Sequence, residues 1–121
     1  MSPSPSRDLN VVQIVRLRTR PGVVAVTVRV DAPPSAGTQY LLLARFNGQY
    51  QVKGDVSASI GSHVIDADVR RADPGTWREF LVAGVAPAAR REWDASLEEP
   101  LLALPDGTNV LTEPAAHRMP G

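Results

Sequence analysis

Val24-Ala25-Val26-Thr27-Val28-Arg29-Val30-Asp31 alternates valine with a small, polar or charged residue along its whole length. Successive side chains of a strand leave opposite faces, so this stretch is a β-strand with one apolar and one wet face. Pro21-Gly22 in front of it is turn chemistry. Upstream, residues 9–20 place Leu9, Val11, Val15 and Leu17 on one face. Val12 and Ile14 share the other with Arg16, Arg18 and Arg20, so burial on both sides is expected only in the first half.

Downstream the same grammar repeats. Pro33 to Thr38 is a loop by composition, and Gln39 to Phe46 reads as a strand. Its unbroken Leu41-Leu42-Leu43-Ala44 suits a central strand covered on both faces. Asn47-Gly48 is the favoured pair for a type I′ hairpin, because both central residues take positive φ. Gln49 to Lys53 returns as an edge strand whose charge discourages further pairing. Ser62 to Arg70 and Trp77 to Val85 are further strands, separated by an Asp73-Pro74-Gly75 turn.

A single helix is expected after the strands. Pro87 suits its first turn, Ala89, Trp93 and Leu97 recur on one face, and Pro100 stops it. Trp93 is expected to cap one end of the domain. Leu101, Leu102 and Leu104 are expected to return to the core, with a last short strand at Val110-Leu111. Short strands separated by turns, with one helix that does not alternate with them, argue for a single antiparallel β-sandwich and against a parallel α/β sheet. Residues 9–112 form that domain. The Ser-Pro repeats of residues 1–8 and the sparse apolar anchors of 113–121 read as flexible tails.

Composition narrows the function classes. Of 121 residues, 31 are Val, Ile, Leu or Phe, enough for a packed core. The absence of cysteine excludes disulfides, thiolate metal sites and cysteine nucleophiles. Thirteen basic and thirteen acidic residues cancel, so the chain as a whole has no pull towards nucleic acid or anionic lipid. Residues 1–54 nevertheless carry +5 and residues 55–121 carry −5. If these charges segregate in space they would steer self-association or docking. No apolar run is long enough to span a membrane, and no secretory signal pattern is present, which points to the cytoplasm. Twelve arginines against one lysine is the usage of a GC-rich bacterial genome.

Catalytic chemistry finds little support. His63 falls on the opposite strand face from Asp66 and Asp68, so the three do not converge on a metal or a proton. His117 falls in the expected tail. There is no Gly-x-Ser-x-Gly elbow and no glycine-rich phosphate loop. No catalytic, metal-binding or cofactor-binding residue is assigned. The remaining candidates are contact residues. Arg16, Arg18 and Arg20 line one strand face, and Tyr50 and Trp77 are potential aromatic anchors. Few aromatics are available to stack on bases, which counts against nucleic acid.

The order of a Val-rich strand, a Pro-Pro loop, Tyr40-Leu41-Leu42-Leu43-Ala44-Arg45, Asn47-Gly48-Gln49-Tyr50 and Trp77 ahead of Leu81-Val82-Ala83-Gly84-Val85 resembles small immunoglobulin-like accessory domains of actinobacteria. The short helix followed by Leu104-Pro105-Asp106-Gly107 adds to the likeness. The resemblance implies a sandwich and an accessory role, and it carries no functional motif onto any residue. The expected function is a non-catalytic protein-interaction module, a small subunit of a larger assembly, with a protein partner or self-association and no cofactor. The alternative is a ligand- or nucleic-acid-binding sandwich that uses the Arg16, Arg18 and Arg20 face.

Overall fold

A computed structural model describes residues 11–70, 73 and 75–119. These residues form strands β1 (Val12–Arg20), β2 (Val23–Val30), β3 (Gln39–Phe46), β4 (Gln49–Val56), β5 (Gly61–Asp68) and β6 (Trp77–Val85), helix α1 (Pro87–Ala95), and strands β7 (Thr108–Val110) and β8 (Ala115–Arg118). All pairings are antiparallel. One sheet has the order β1-β2-β5; the other runs β4-β3-β6-β7, with β8 also on β6. The two sheets pack face to face as a β-sandwich.

The valine alternation of β2 sends Val24, Val26, Val28 and Val30 between the sheets, where they meet Tyr40, Leu42, Phe80 and Val82. Asn47 and Gly48 take φ of 51° and 74°, the left-handed pair that the type I′ turn requires. The Leu41–Leu43 run is buried on both sides. Leu42 faces the other sheet, while Leu41 and Leu43 join Leu81, Val85, Ala89 and Trp93 beneath the helix. The molecule therefore has three layers, with the five-stranded sheet in the middle.

Several expectations are corrected. In β1, Ile14 pairs with Val28 but Arg16 pairs with Thr27, so Val15 is an extra bulged residue. The bulge shifts the alternation. Leu17 follows Val12 and Ile14 to the inside, while Arg16, Arg18 and Arg20 leave for the outside. Trp93 does not cap an end of the sandwich; it is fully buried on the outer face of the five-stranded sheet. Helix α1 stops at Ala95, so Leu97 falls off its apolar face and is 59% exposed. Leu101 and Leu104 return to the core but Leu102 does not. Residues 113–121, expected as a loose tail, supply β8 and the buried Met119. Residues 1–8 lie outside the described residues, as does Pro74 of the expected turn. In that turn Gly75 has a φ of 79° and the Thr76 amide bonds the Asp73 carbonyl.

Two buried hydroxyls close sheet edges. Thr112 Oγ1 accepts the Val82 amide at 2.9 Å, while the Leu111 amide bonds the Val82 carbonyl. They occupy the gap on β6 between β7 and β8. On the opposite edge, β4 pairs its Tyr50 amide and carbonyl with Leu101 and gives its Val52 amide to Ser96 Oγ. The edge strand 49–53 thus has its first outward groups already engaged within the chain. Arg90 fastens α1 to the sheet through Asp55 at 3.1 Å and Gln39, besides its own-helix partner Asp94.

Candidate functional site

The outer face of the three-stranded sheet is assembled row by row from the strand register. Arg16 lies beside Thr27 with Val64 next across the row, Arg18 beside Ala25 with Asp66 beyond it, and Arg20 beside Val23 with Asp68 beyond it. No described element covers this face, in contrast to the helix-covered outer face of the other sheet. Arg20 reaches Asp66 at 3.9 Å, Arg70 grips Asp68 at 2.7 Å and Arg29 pairs with Asp31 at 3.4 Å. Arg16 and Arg18 have no carboxylate partner among the described residues. Exposed Val15 and Val64 flank them. Charges from the two halves of the chain interleave in part, as Arg20–Asp66 and Arg45–Glu79 show.

The five contact residues singled out in the sequence do not form one surface. Tyr50 is half-buried on the helix side of the molecule, its ring standing edge-on to Trp93 with centroids 6.4 Å apart. Its place is in the packing under α1. Trp77 also belongs to that side, 61% exposed at the start of β6 beside Arg45, Glu79 and the Asn47-Gly48 turn. The arginine stripe is on the opposite sheet. His63 faces inward across from Val28, with Nε2 2.6 Å from the Ser59 carbonyl oxygen, while Asp66 and Asp68 face outward. His117, expected in a tail, sits in β8 with Nε2 2.6 Å from Thr19 Oγ1 and so links the two sheets. Among the described residues no group of three or more metal-ligating side chains converges.

A second feature was not foreseen. Where β3 ends and β4 and β6 begin, the apolar filling between the sheets gives way to a polar cleft of about 850 Å³. Its lining includes Phe46, Gln51, Lys53, Asp68 and Arg78. Lys53 occupies a bulge: Leu42 pairs with Gly54 and Leu43 with Val52, leaving Lys53 as the extra residue. Its ammonium donates to Gln51 Oε1 at 2.8 Å and to the Asp68 carbonyl at 2.9 Å. Burial, and then the nearby Arg78 charge, push the Lys53 pKa down to about 8, against the pull of Asp68. The Arg78 guanidinium carbon lies 4.7 Å from the Phe46 ring centroid, and burial lowers its pKa. Arg78 Nε is buried without an acceptor among the described residues. The sequence signal was present in Lys53, the single lysine of an arginine-rich chain, but a lone cation on an edge strand reads first as protection against aggregation.

Compared with protein-family models, with curated proteins and with solved structures, this chain finds no match. Among the described residues no helix is long and apolar enough to cross a membrane.

Proposed function

We propose that this chain is a non-catalytic protein-interaction module, a small subunit or accessory factor that docks an acidic partner surface on the outer face of its three-stranded sheet. The carrying observation is the face on which, among the described residues, nothing covers Arg16 and Arg18 and neither has a carboxylate partner, with exposed Val15 and Val64 on the same face. Arginine, with its planar set of donors, is favoured where carboxylates are recognised at interfaces. Among the described residues the face carries no aromatic side chain for stacking on bases, which favours a protein over a single-stranded nucleic acid. The order β1-β2-β5 facing β4-β3-β6-β7 supports the likeness to immunoglobulin-like sandwiches, a scaffold that serves many binding roles.

The test is co-purification from the host of the tagged chain and of an Arg16→Glu/Arg18→Glu variant. A stoichiometric partner that dissociates with rising salt, is lost on charge reversal and is retained by Trp77→Ala is the expected result. A partner unaffected by charge reversal overturns the assignment of the face. A complex containing only a second copy replaces the partner with self-association. Salt-dependent oligonucleotide binding that disappears in the Arg16/Arg18/Arg20 triple alanine variant replaces it with nucleic acid.

A further inference from the structure

We infer that the cleft between the sheets, at the start of β4 and β6, is a binding site for the oxyanion head, phosphate or carboxylate, of a small ligand held between Lys53 and Arg78. Both cations line the same cleft and neither has a carboxylate partner among the described residues. Of the acids near them, Asp68 and Asp66 are already committed, while Asp73 attracts Arg78 without forming an ion pair in the described structure. Arg70 holds the Asp68 carboxylate with four hydrogen bonds of 2.7–3.1 Å, three from its guanidinium and one from its amide, and Asp66 faces Arg20 on the outer surface. A partly buried guanidinium with an unpaired Nε, close to an ammonium of the same sign, is an arrangement that costs stability until an anion enters.

The site is also built to hold its donors still. The Phe46 ring lies against the Arg78 guanidinium and limits its swing. Gln51 and the Asp68 carbonyl take two of the three Lys53 N–H groups and leave one for a ligand. Ala44, Phe46 and Val69 offer an apolar floor for the body of the ligand. Glu98 is the one acidic side chain of the lining that makes no ion pair in the described structure, and it stands at the rim as an internal competitor.

Because Lys53 is the only lysine, protein grown on lysine labelled with carbon-13 at Cε gives one side-chain reporter at the site. Sodium phosphate and, separately, sodium benzoate are titrated in at ionic strength held constant with chloride. The expected result is a saturable shift of the Lys53 signal with at least one of them, together with a rise in its titration midpoint, because a bound anion favours the charged ammonium. Whichever probe saturates distinguishes a phosphate from a carboxylate site. Arg78→Gln should abolish saturation while the amide spectrum stays dispersed, and Glu98→Gln should tighten binding. If Arg78→Gln unfolds, Arg78→Lys keeps the charge, and about tenfold weaker binding is expected once the two-pronged donor is lost. Linear shifts equal to those of chloride with both probes, or saturation unchanged in the Arg78 variant, overturn the site.

Discussion

The Val52 amide donates to the Ser96 hydroxyl at 3.0 Å, and that hydroxyl donates onward to the Trp93 carbonyl at 2.5 Å. One fully buried side chain thus satisfies an edge strand and a helix C-terminus together. Ser96→Ala leaves the Val52 amide unpaired in a buried place. A loss of about 1–3 kcal/mol is expected, read by urea unfolding, with faster hydrogen exchange at Val52 than elsewhere in β4.

The two candidate aromatics should separate by stability. Tyr50→Ala removes the ring that stands against Trp93 and should cost about 1–3 kcal/mol. Trp77→Ala, at a largely exposed position, should change unfolding free energy by no more than about 0.5 kcal/mol. Equal losses for both would show that Trp77 is held by more than its few surface contacts.

Gly54 is glycine because the sheets converge there. A Cβ at this position would lie 2.7 Å from Ile65 Cγ2. Gly54→Ala is expected to destabilise by about 1–3 kcal/mol through overpacking. Ile65→Ala in the same chain removes the offending methyl, and the double variant should lose less than the sum of the single losses.

Stability should depend on pH through Lys53. Its pKa is about 8 when folded against 10.5 ordinarily, so between those values the unfolded chain binds more protons and unfolding free energy rises with pH. The side chain is only partly buried, which keeps the slope below the ~1.4 kcal/mol per pH unit of one fully coupled proton. Lys53→Gln should flatten the curve between pH 8 and 10. Above that range the buried Tyr40 hydroxyl, its pKa raised by desolvation, acts in the opposite sense. At the acid end the Arg70 hydrogen bonds hold the Asp68 pKa down to about 2. Its small contribution is present above 3.8 and is lost as pH falls towards 2.

Features with a local cause were readable in the sequence. The β2 alternation, the Asn47-Gly48 turn, the two-sided burial of Leu41–Leu43 and the helix start at Pro87 all depend on residues within a few positions of each other. What escaped depends on partners distant in the chain. Ala115–Arg118 is too polar to announce a strand, and forms one because β6 offers it an open edge. Trp93 covers the sheet face because Leu41, Leu43 and Leu81 present an apolar floor there, and Thr108 accepts its indole N–H at 2.9 Å. The cleft escaped for the same reason: residues 53 and 78 come onto one sheet only once β3 has paired with both β4 and β6, and Asp68 joins them from the other sheet. In β1 the error was one of parity, since an unbroken alternation would have turned three arginines inward.

That parity has a consequence for how β1 tolerates length change. The strand is two correctly patterned phrases, Val12–Ile14 and Arg16–Arg20, spaced by Val15. Removing the spacer joins them into a continuous alternation with every valine, leucine and arginine still on its present side. Adding a residue within either phrase inverts the remainder and carries guanidinium groups towards the valine layer. At this point the chain is forgiving of deletion and intolerant of insertion, an asymmetry that paired single-residue length variants would reveal directly.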